Sequence, residues 1–140
     1  SAGHKLMENH TYGEGRLKQA RINLIRLLKS INSGNMPAFI SIIENEALSL
    51  HALMMSSDPG YILLQANSLH IIENVRNYRR DTGYSVCFTL DAGANVHLLY
   101  PSSIETEIKA YIKDQLLQYC ENGLIIHDQL GKGPVQKAYP

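Results

Sequence analysis

The run Phe88-Thr89-Leu90-Asp91-Ala92-Gly93-Ala94-Asn95-Val96-His97-Leu98-Leu99-Tyr100 places one carboxylate at the end of an apolar β-type segment, at the mouth of a tight turn. Val86 to Leu90 and Val96 to Tyr100 are rich in β-branched, aromatic and aliphatic side chains. Gly93 and Asn95 tolerate unusual backbone dihedrals, so the spacing predicts a β-hairpin. Asp91 would then project from a strand end held by rigid structure on both sides. That is where chemistry would sit. The alternative is an Asx-turn, in which the side chain only accepts backbone N–H groups two residues on. On the residues alone both readings stay open.

Other chemistry-bearing residues offer less. The six histidines include no HExxH, and His51, His70, His97 and His127 fall on different elements without i, i+4 spacing, so no metal site is expected. His4 and His10 read as solvent-exposed or capping groups. Glu44 and Glu46 diverge on a helix and read as surface charges. Arg76, Arg79 and Arg80 read as a solvated helix face, and Met54 and Met55 as packing.

The elements that must position Asp91 follow from periodicity. Leu17, Ala20, Leu24, Leu28 and Ile31 recur every three or four residues from about Gly15 to Ser33, which predicts an amphipathic helix stopped by Gly34. Pro37 suits the first turn of a second helix running to about Met55, with Phe39, Ile43, Ala47, Leu50 and Met54 as its buried stripe, widened by Ile40 and Leu48. Ser56-Ser57-Asp58-Pro59-Gly60 breaks it, and Tyr61 to Leu64 reads as a strand or an irregular segment. Ser68 is the expected N-cap of a third helix ending near Thr82-Gly83. Ser102-Ser103-Ile104-Glu105 fits a capping box before a helix carrying Ile104, Ile108, Ile112 and Leu116. Leu124 to His127 reads as a last strand, with Gly131 to Pro134 as a closing loop. Strands mixed with helices in this order imply an α+β fold, with helices packed on an antiparallel sheet.

Composition limits the partners. The 140 residues suit one domain, and 44% hydrophobic residues supply a core. Thirteen basic residues balance thirteen acidic ones, so no global field draws nucleic acid or an anionic membrane. Cys87 and Cys120 lack CxxC spacing and suit reduced thiols. No apolar run reaching the ~20 residues of a spanning helix and no signal-peptide pattern is apparent. There is no GxxxxGK[ST] and no GxGxxG after a strand, so no familiar nucleotide loop is present.

Asp-Ala-Gly-x-Asn between two strands resembles the C-terminal motif of the diphosphomevalonate decarboxylases, in the GHMP kinase superfamily. Ser1-Ala2-Gly3-His4-Lys5-Leu6-Met7-Glu8-Asn9-His10, Glu46-Ala47-Leu48-Ser49-Leu50-His51-Ala52-Leu53-Met54-Met55 and Leu130-Gly131-Lys132-Gly133-Pro134 resemble bacterial members in the same order. Ala94 departs from the pattern, standing where many relatives carry Pro, which leaves the turn less constrained in φ.

The resemblance implies that residues 1–140 form the GHMP C-terminal, substrate-facing domain, a small antiparallel sheet with helices against it. The N-terminal nucleotide-binding domain, with its Pro-x-x-x-Gly-x-x-Ser-Ser-Ala loop, would lie outside this chain, and the fragment alone is expected to be inactive. The implied reaction transfers the γ-phosphoryl of ATP to the C3 hydroxyl of mevalonate 5-diphosphate. Phosphate and CO2 then leave, giving isopentenyl diphosphate. As the C3–O bond breaks, positive charge develops at C3, and a fixed carboxylate stabilises it. The resemblance implies Asp91 as that catalytic group and Ala92 and Gly93 as substrate-binding, with ATP and Mg2+ as cofactors of the intact enzyme. It further implies a cytoplasmic homodimer without nucleic-acid or membrane partners. A small-molecule kinase is the alternative enzyme, although the single Gly93 beside a carboxylate suits phosphate poorly. A non-catalytic binding or dimerisation module would instead have Asp91 satisfied by its own turn.

Overall fold

A computed structural model describes residues 10–131. The opening motif before His10 and the closing Lys132-Gly133-Pro134 lie outside the described residues. Three long helices come first: α1 (Gly13–Ser33), α2 (Met36–Met55) and α3 (Ala66–Thr82). A hairpin follows, β1 (Cys87–Leu90) and β2 (Val96–Leu99), then a 3-10 turn at Ser102–Ile104 and the short α4 (Glu105–Tyr111). The chain continues through a widened π turn at Ile112–Leu116 and 3-10 turns at Leu117–Tyr119 and Glu121–Gly123.

The helix boundaries have local causes. Gly34 stops α1 in the left-handed region at φ 66, where its N–H returns to the Ser30 and Ile31 carbonyls. The Asn35 side chain accepts the Ala38 N–H at 3.0 Å and caps α2, with Pro37 in the first turn as expected. Tyr61 to Leu64 is irregular, and Gly60 is needed there because a Cβ would meet the Met55 carbonyl oxygen at 2.7 Å. The cap of α3 is Gln65, not Ser68. Ser68 sits one turn in, where its hydroxyl accepts the Gln65 N–H at 3.3 Å and frees its own proton for another partner.

β1 and β2 pair antiparallel, Cys87 with Leu99, Phe88 with Leu98, Thr89 with His97 and Leu90 with Val96. This is the whole sheet among the described residues. The strand expected at Leu124 to His127 is not formed. Asn122 and Gly123, at φ 53 and 65, turn the chain, and Leu124 and Ile126 stand 74% and 93% exposed. Ser102 to Glu105 does not form a capping box either, because Pro101 leads into a 3-10 turn and the Glu105 carboxylate is taken by Lys109 at 2.6 Å.

The core lies where α2, α3 and α4 meet β1: Ala47, Ile72, Val75, Val86, Phe88, Leu90, Ile108, Tyr111, Ile112 and Leu116. β1 is buried along nearly its whole length, and the Tyr111 ring stacks on Tyr78 at 3.8 Å. The widened turn brings both Ile112 and Leu116 onto the face already used by Ile108. α2 contributes differently from the expected stripe. Its buried residues are Ile40, Ile42, Glu44, Ala47, His51 and Leu53, two of them polar, while Phe39, Ile43, Leu50 and Met54 are only half-buried. By length and composition α2 is also apolar enough to span a membrane, with a mean hydropathy of 1.2, which the sequence reading did not anticipate. Here it is a core helix whose Glu44 is paired internally.

The paired arrangement overturns three surface assignments. Glu44 is buried and receives Arg79 at 2.6 and 3.1 Å, with Arg76 at 3.5 Å. Arg79 also donates to the Val86 carbonyl at 2.7 Å. Glu46 pairs with Arg16 of α1 at 2.5 Å. Of the three arginines Arg79 is the one drawn inward, while Arg76 and Arg80 keep exposed side chains, at 47% and 70%.

α1 reverses the expected amphipathicity. Its polar side packs on α2: Gln19 donates to Asn45 at 2.7 Å and Asn23 to Glu46 at 2.7 Å, and Asn23 and Ser30 are its buried residues. Leu17, Leu24, Leu28 and Ile31 are instead more than half exposed, between 54% and 61%. The outer face of α2 presents Asn45 and Glu46, so hydrogen-bonding partners rather than aliphatic ones select the side of α1 that docks.

The two thiols are free and differ in environment. Burial, reinforced by nearby Glu44 and opposed by Arg79, pushes the Cys87 thiol from 9.0 up to about 11, and burial also raises Cys120. A raised native value means the neutral thiol is favoured by folding. The Cys87 contribution is therefore complete below pH 9.0 and lost as pH rises toward about 11. At pH 8 a disulfide reagent is expected to modify Cys120 first and to reach Cys87 only on unfolding. Equal rates at both thiols would contradict this burial.

Candidate functional site

Asp91 ends β1 with its carboxylate in the open. The side chain is 84% exposed, and among the described residues its charged neighbour is His97, whose Nε2 lies 3.2 Å from Oδ2. The Asx-turn alternative is not what forms. The Gly93 N–H goes to the Asp91 main-chain carbonyl at 2.8 Å, leaving the carboxylate unused by its own turn. Gly93 is also not in the left-handed region, and a Cβ there would meet nothing within 4 Å. The bend is therefore not made by residues of unusual φ, contrary to the sequence expectation.

Its shape is held from outside instead. The buried His51 of α2 places Nε2 2.9 Å from the Asp91 carbonyl oxygen. A carbonyl only accepts, so Nε2 carries the proton and donates. At the other end, the buried Ser68 hydroxyl of α3 donates to the Ala94 carbonyl at 2.6 Å. Two helices thus each hold one end of the bend. This answers the loss of constraint expected from Ala94 in place of Pro, since tertiary hydrogen bonds do what a fixed φ would have done.

Of the expected site residues, Asp91 and Ala92 are exposed and Gly93 is half-buried. All three lie on one open ledge formed by the bend. Two clefts lie elsewhere. One of about 470 Å³ runs between α1 and α2 past Lys18, Asn23 and Arg26, and one of about 610 Å³ lies beside Glu44, Arg76 and Arg79. Neither is lined by the bend. Among the described residues no three His, Cys, Asp or Glu side chains gather where they could hold a metal ion.

Sequence reasoning missed three neighbours of the site. His97 was legible in principle, because strand register places it opposite Thr89, two residues before Asp91. His51 gave a weaker signal, an imidazole on the apolar side of α2 one turn beyond Ala47. Ser68 was concealed by its plausibility as a cap.

A sequence profile of the mevalonate 5-diphosphate decarboxylase C-terminal domain matches residues 14–136. The chain is 23% identical over 91 residues to a phosphomevalonate decarboxylase of Haloferax volcanii, covering 65% of this chain and 28% of that protein. Among solved structures, a mevalonate diphosphate decarboxylase from Legionella pneumophila superimposes with a TM-score of 0.77 at 28% identity, over 83% of this chain and 37% of that one. The Staphylococcus aureus enzyme gives 0.72 at 25% identity, over 79% and 33%. The chain therefore spans about a third of the solved relatives it matches. The hairpin with helices against it is the arrangement these relatives share, and the chain belongs to the mevalonate 5-diphosphate decarboxylase C-terminal domain family.

Proposed function

We propose that this domain supplies Asp91 to the active site of an intact ATP-dependent decarboxylase acting on mevalonate 5-diphosphate, yielding isopentenyl diphosphate, ADP, phosphate and CO2. The observation that carries the reading is a carboxylate left unused by its own turn on a bend pinned at both ends. A group held this way needs little reorganisation when positive charge develops at C3. Its role is electrostatic stabilisation and orientation of the C3 hydroxyl. Ala92 and Gly93 form the adjoining ledge against which substrate rests. Their small size lets the substrate approach the protein main chain closely.

ATP and Mg2+ are the cofactors of this reading; a solved relative carries the description "in complex with MVAPP, AMPPCP and Magnesium". Among the described residues the bend offers a carboxylate and no cluster of basic groups for phosphate; in this reading the nucleotide and diphosphate contacts come from an N-terminal domain of the intact enzyme. The isolated domain is then inactive. The working form is a cytoplasmic homodimer, a state that sedimentation of the intact protein tests directly.

The deciding assay gives the intact protein ATP, Mg2+ and either mevalonate 5-diphosphate or its monophosphate. Equal release of ADP and CO2 from the diphosphate is expected. ADP without CO2 would make the protein a kinase, and turnover only of the monophosphate would move its substrate to that of the Haloferax relative. No turnover of either would leave the domain a binding module and end the enzymatic reading.

A further inference from the structure

We propose that His51 is a positioning residue for Asp91, fixing the direction of its carboxylate through the main-chain carbonyl of the same residue. The inference rests on the decarboxylase reading of Asp91 and goes beyond it. His51 is 2% exposed, among the most completely buried side chains of the domain, and its Nε2 lies 2.9 Å from the Asp91 carbonyl oxygen. Burying an imidazole carries a desolvation cost that an aliphatic residue at this place on α2 would avoid. The hydrogen bond offsets that cost and has a geometric result. The peptide plane leaving Asp91 is set by a donor from another element, and the Gly93 N–H closes on the same oxygen at 2.8 Å. With that plane fixed, ψ of Asp91 is fixed, and with it the direction of the Cα–Cβ bond.

Among the described residues the carboxylate has only His97, half-exposed at 48%, for company. Side-chain contacts therefore constrain its direction weakly, and the backbone carries most of the orientation. Ser68 cannot replace His51, because it holds the far end of the bend at Ala94. Losing the His51 donor would leave the Asp91 carbonyl held by the Gly93 N–H alone and loosen the exit from β1.

The test compares three variants of the intact protein with Asp91→Asn as reference. Gln places an amide N–H near the position of Nε2, Asn near that of Nδ1, and Phe keeps the ring volume without a donor. His51→Phe and His51→Asn are expected to lower kcat on the order of 10- to 100-fold with KM changed little, as for a small misplacement of a reacting group. His51→Gln should recover most of kcat. A folded His51→Phe with wild-type kcat, while Asp91→Asn is inactive, overturns the positioning role and leaves the decarboxylase reading intact. Should Asp91→Asn itself keep full turnover, both fall together. A second measurement does not depend on the variants folding. Nitrogen-15 spectra of the wild-type protein should show His51 protonated at Nε2, with scalar coupling across the hydrogen bond to the Asp91 carbonyl carbon. An Nδ1-protonated His51 without that coupling overturns the proposal.

Discussion

Asp91→Asn in the intact protein is expected to lower decarboxylation on the order of 10²- to 10³-fold, the range found when one well-placed electrostatic group is removed elsewhere. The substitution keeps the size and the backbone of the bend, so the hydrogen bonds to His51 and Gly93 are retained. It removes the negative charge that would face C3 as the C3–O bond lengthens. KM for the substrate should change little, because the charge matters more to the transition state than to the ground state. Stability should also be almost unchanged, since the carboxylate is 84% exposed and, among the described residues, only His97 lies against it. The measurement is CO2 and ADP release side by side, with a thermal melt of each protein. Undiminished CO2 release from the variant would remove Asp91 from the chemistry. Loss of CO2 with ADP retained would instead separate phosphoryl transfer from the fragmentation that follows it.

The hairpin and the place of Asp91 at its strand end were legible because the signal is local: two runs of β-forming residues flank a short link. Periodicity likewise placed α1, α2 and α3 to within a few residues of their ends, because the glycines at 34 and 83 and the proline at 37 act through their own backbone. What the sequence concealed depends on which element meets which. The apolar repeat of α1 was read as a core face, yet the polar face of α2 decided the docking through Asn45 and Glu46. Leu124 to His127 has the composition of a strand, yet it joins no sheet and leaves Leu124 and Ile126 exposed. Glu44 and Arg79 look like ordinary surface charges because ionised residues are rarely buried unless paired, and the pairing spans two helices distant in sequence. His51 and Ser68 belong to the same class. Each was assigned a local role or none, and each acts on a bend that is distant along the chain.

Removing the Glu44 carboxylate is expected to be the most destabilising single change to this buried network. Glu44 is 7% exposed at its side chain and takes two hydrogen bonds from Arg79, whose guanidinium also holds the Val86 carbonyl at the entry to β1. Glu44→Gln leaves a cation without its counter-charge. Such losses cost about 3–5 kcal/mol when both partners are buried. The Arg79 side chain is 24% exposed, and the remaining solvent contact screens its charge, so roughly 2–4 kcal/mol is the better expectation. For a domain of this size that corresponds to a fall in Tm on the order of 10 °C. The double replacement Glu44→Leu with Arg79→Met should recover much of the loss, because removing both ions also removes both desolvation costs. A single-variant melt within about 2 °C of wild type would show that the pair carries no stability. The same experiment bears on the site. α2 is tied to β1 at two places, through Glu44 and Arg79 to Val86 at its entry and through His51 to Asp91 at its exit. Loosening the first tie leaves α2 free to shift along the strand. The Asp91 and Gly93 amides of Glu44→Gln should then exchange hydrogen faster than in wild type below the melting range, whereas the double variant, its packing restored, should return them toward their original rates.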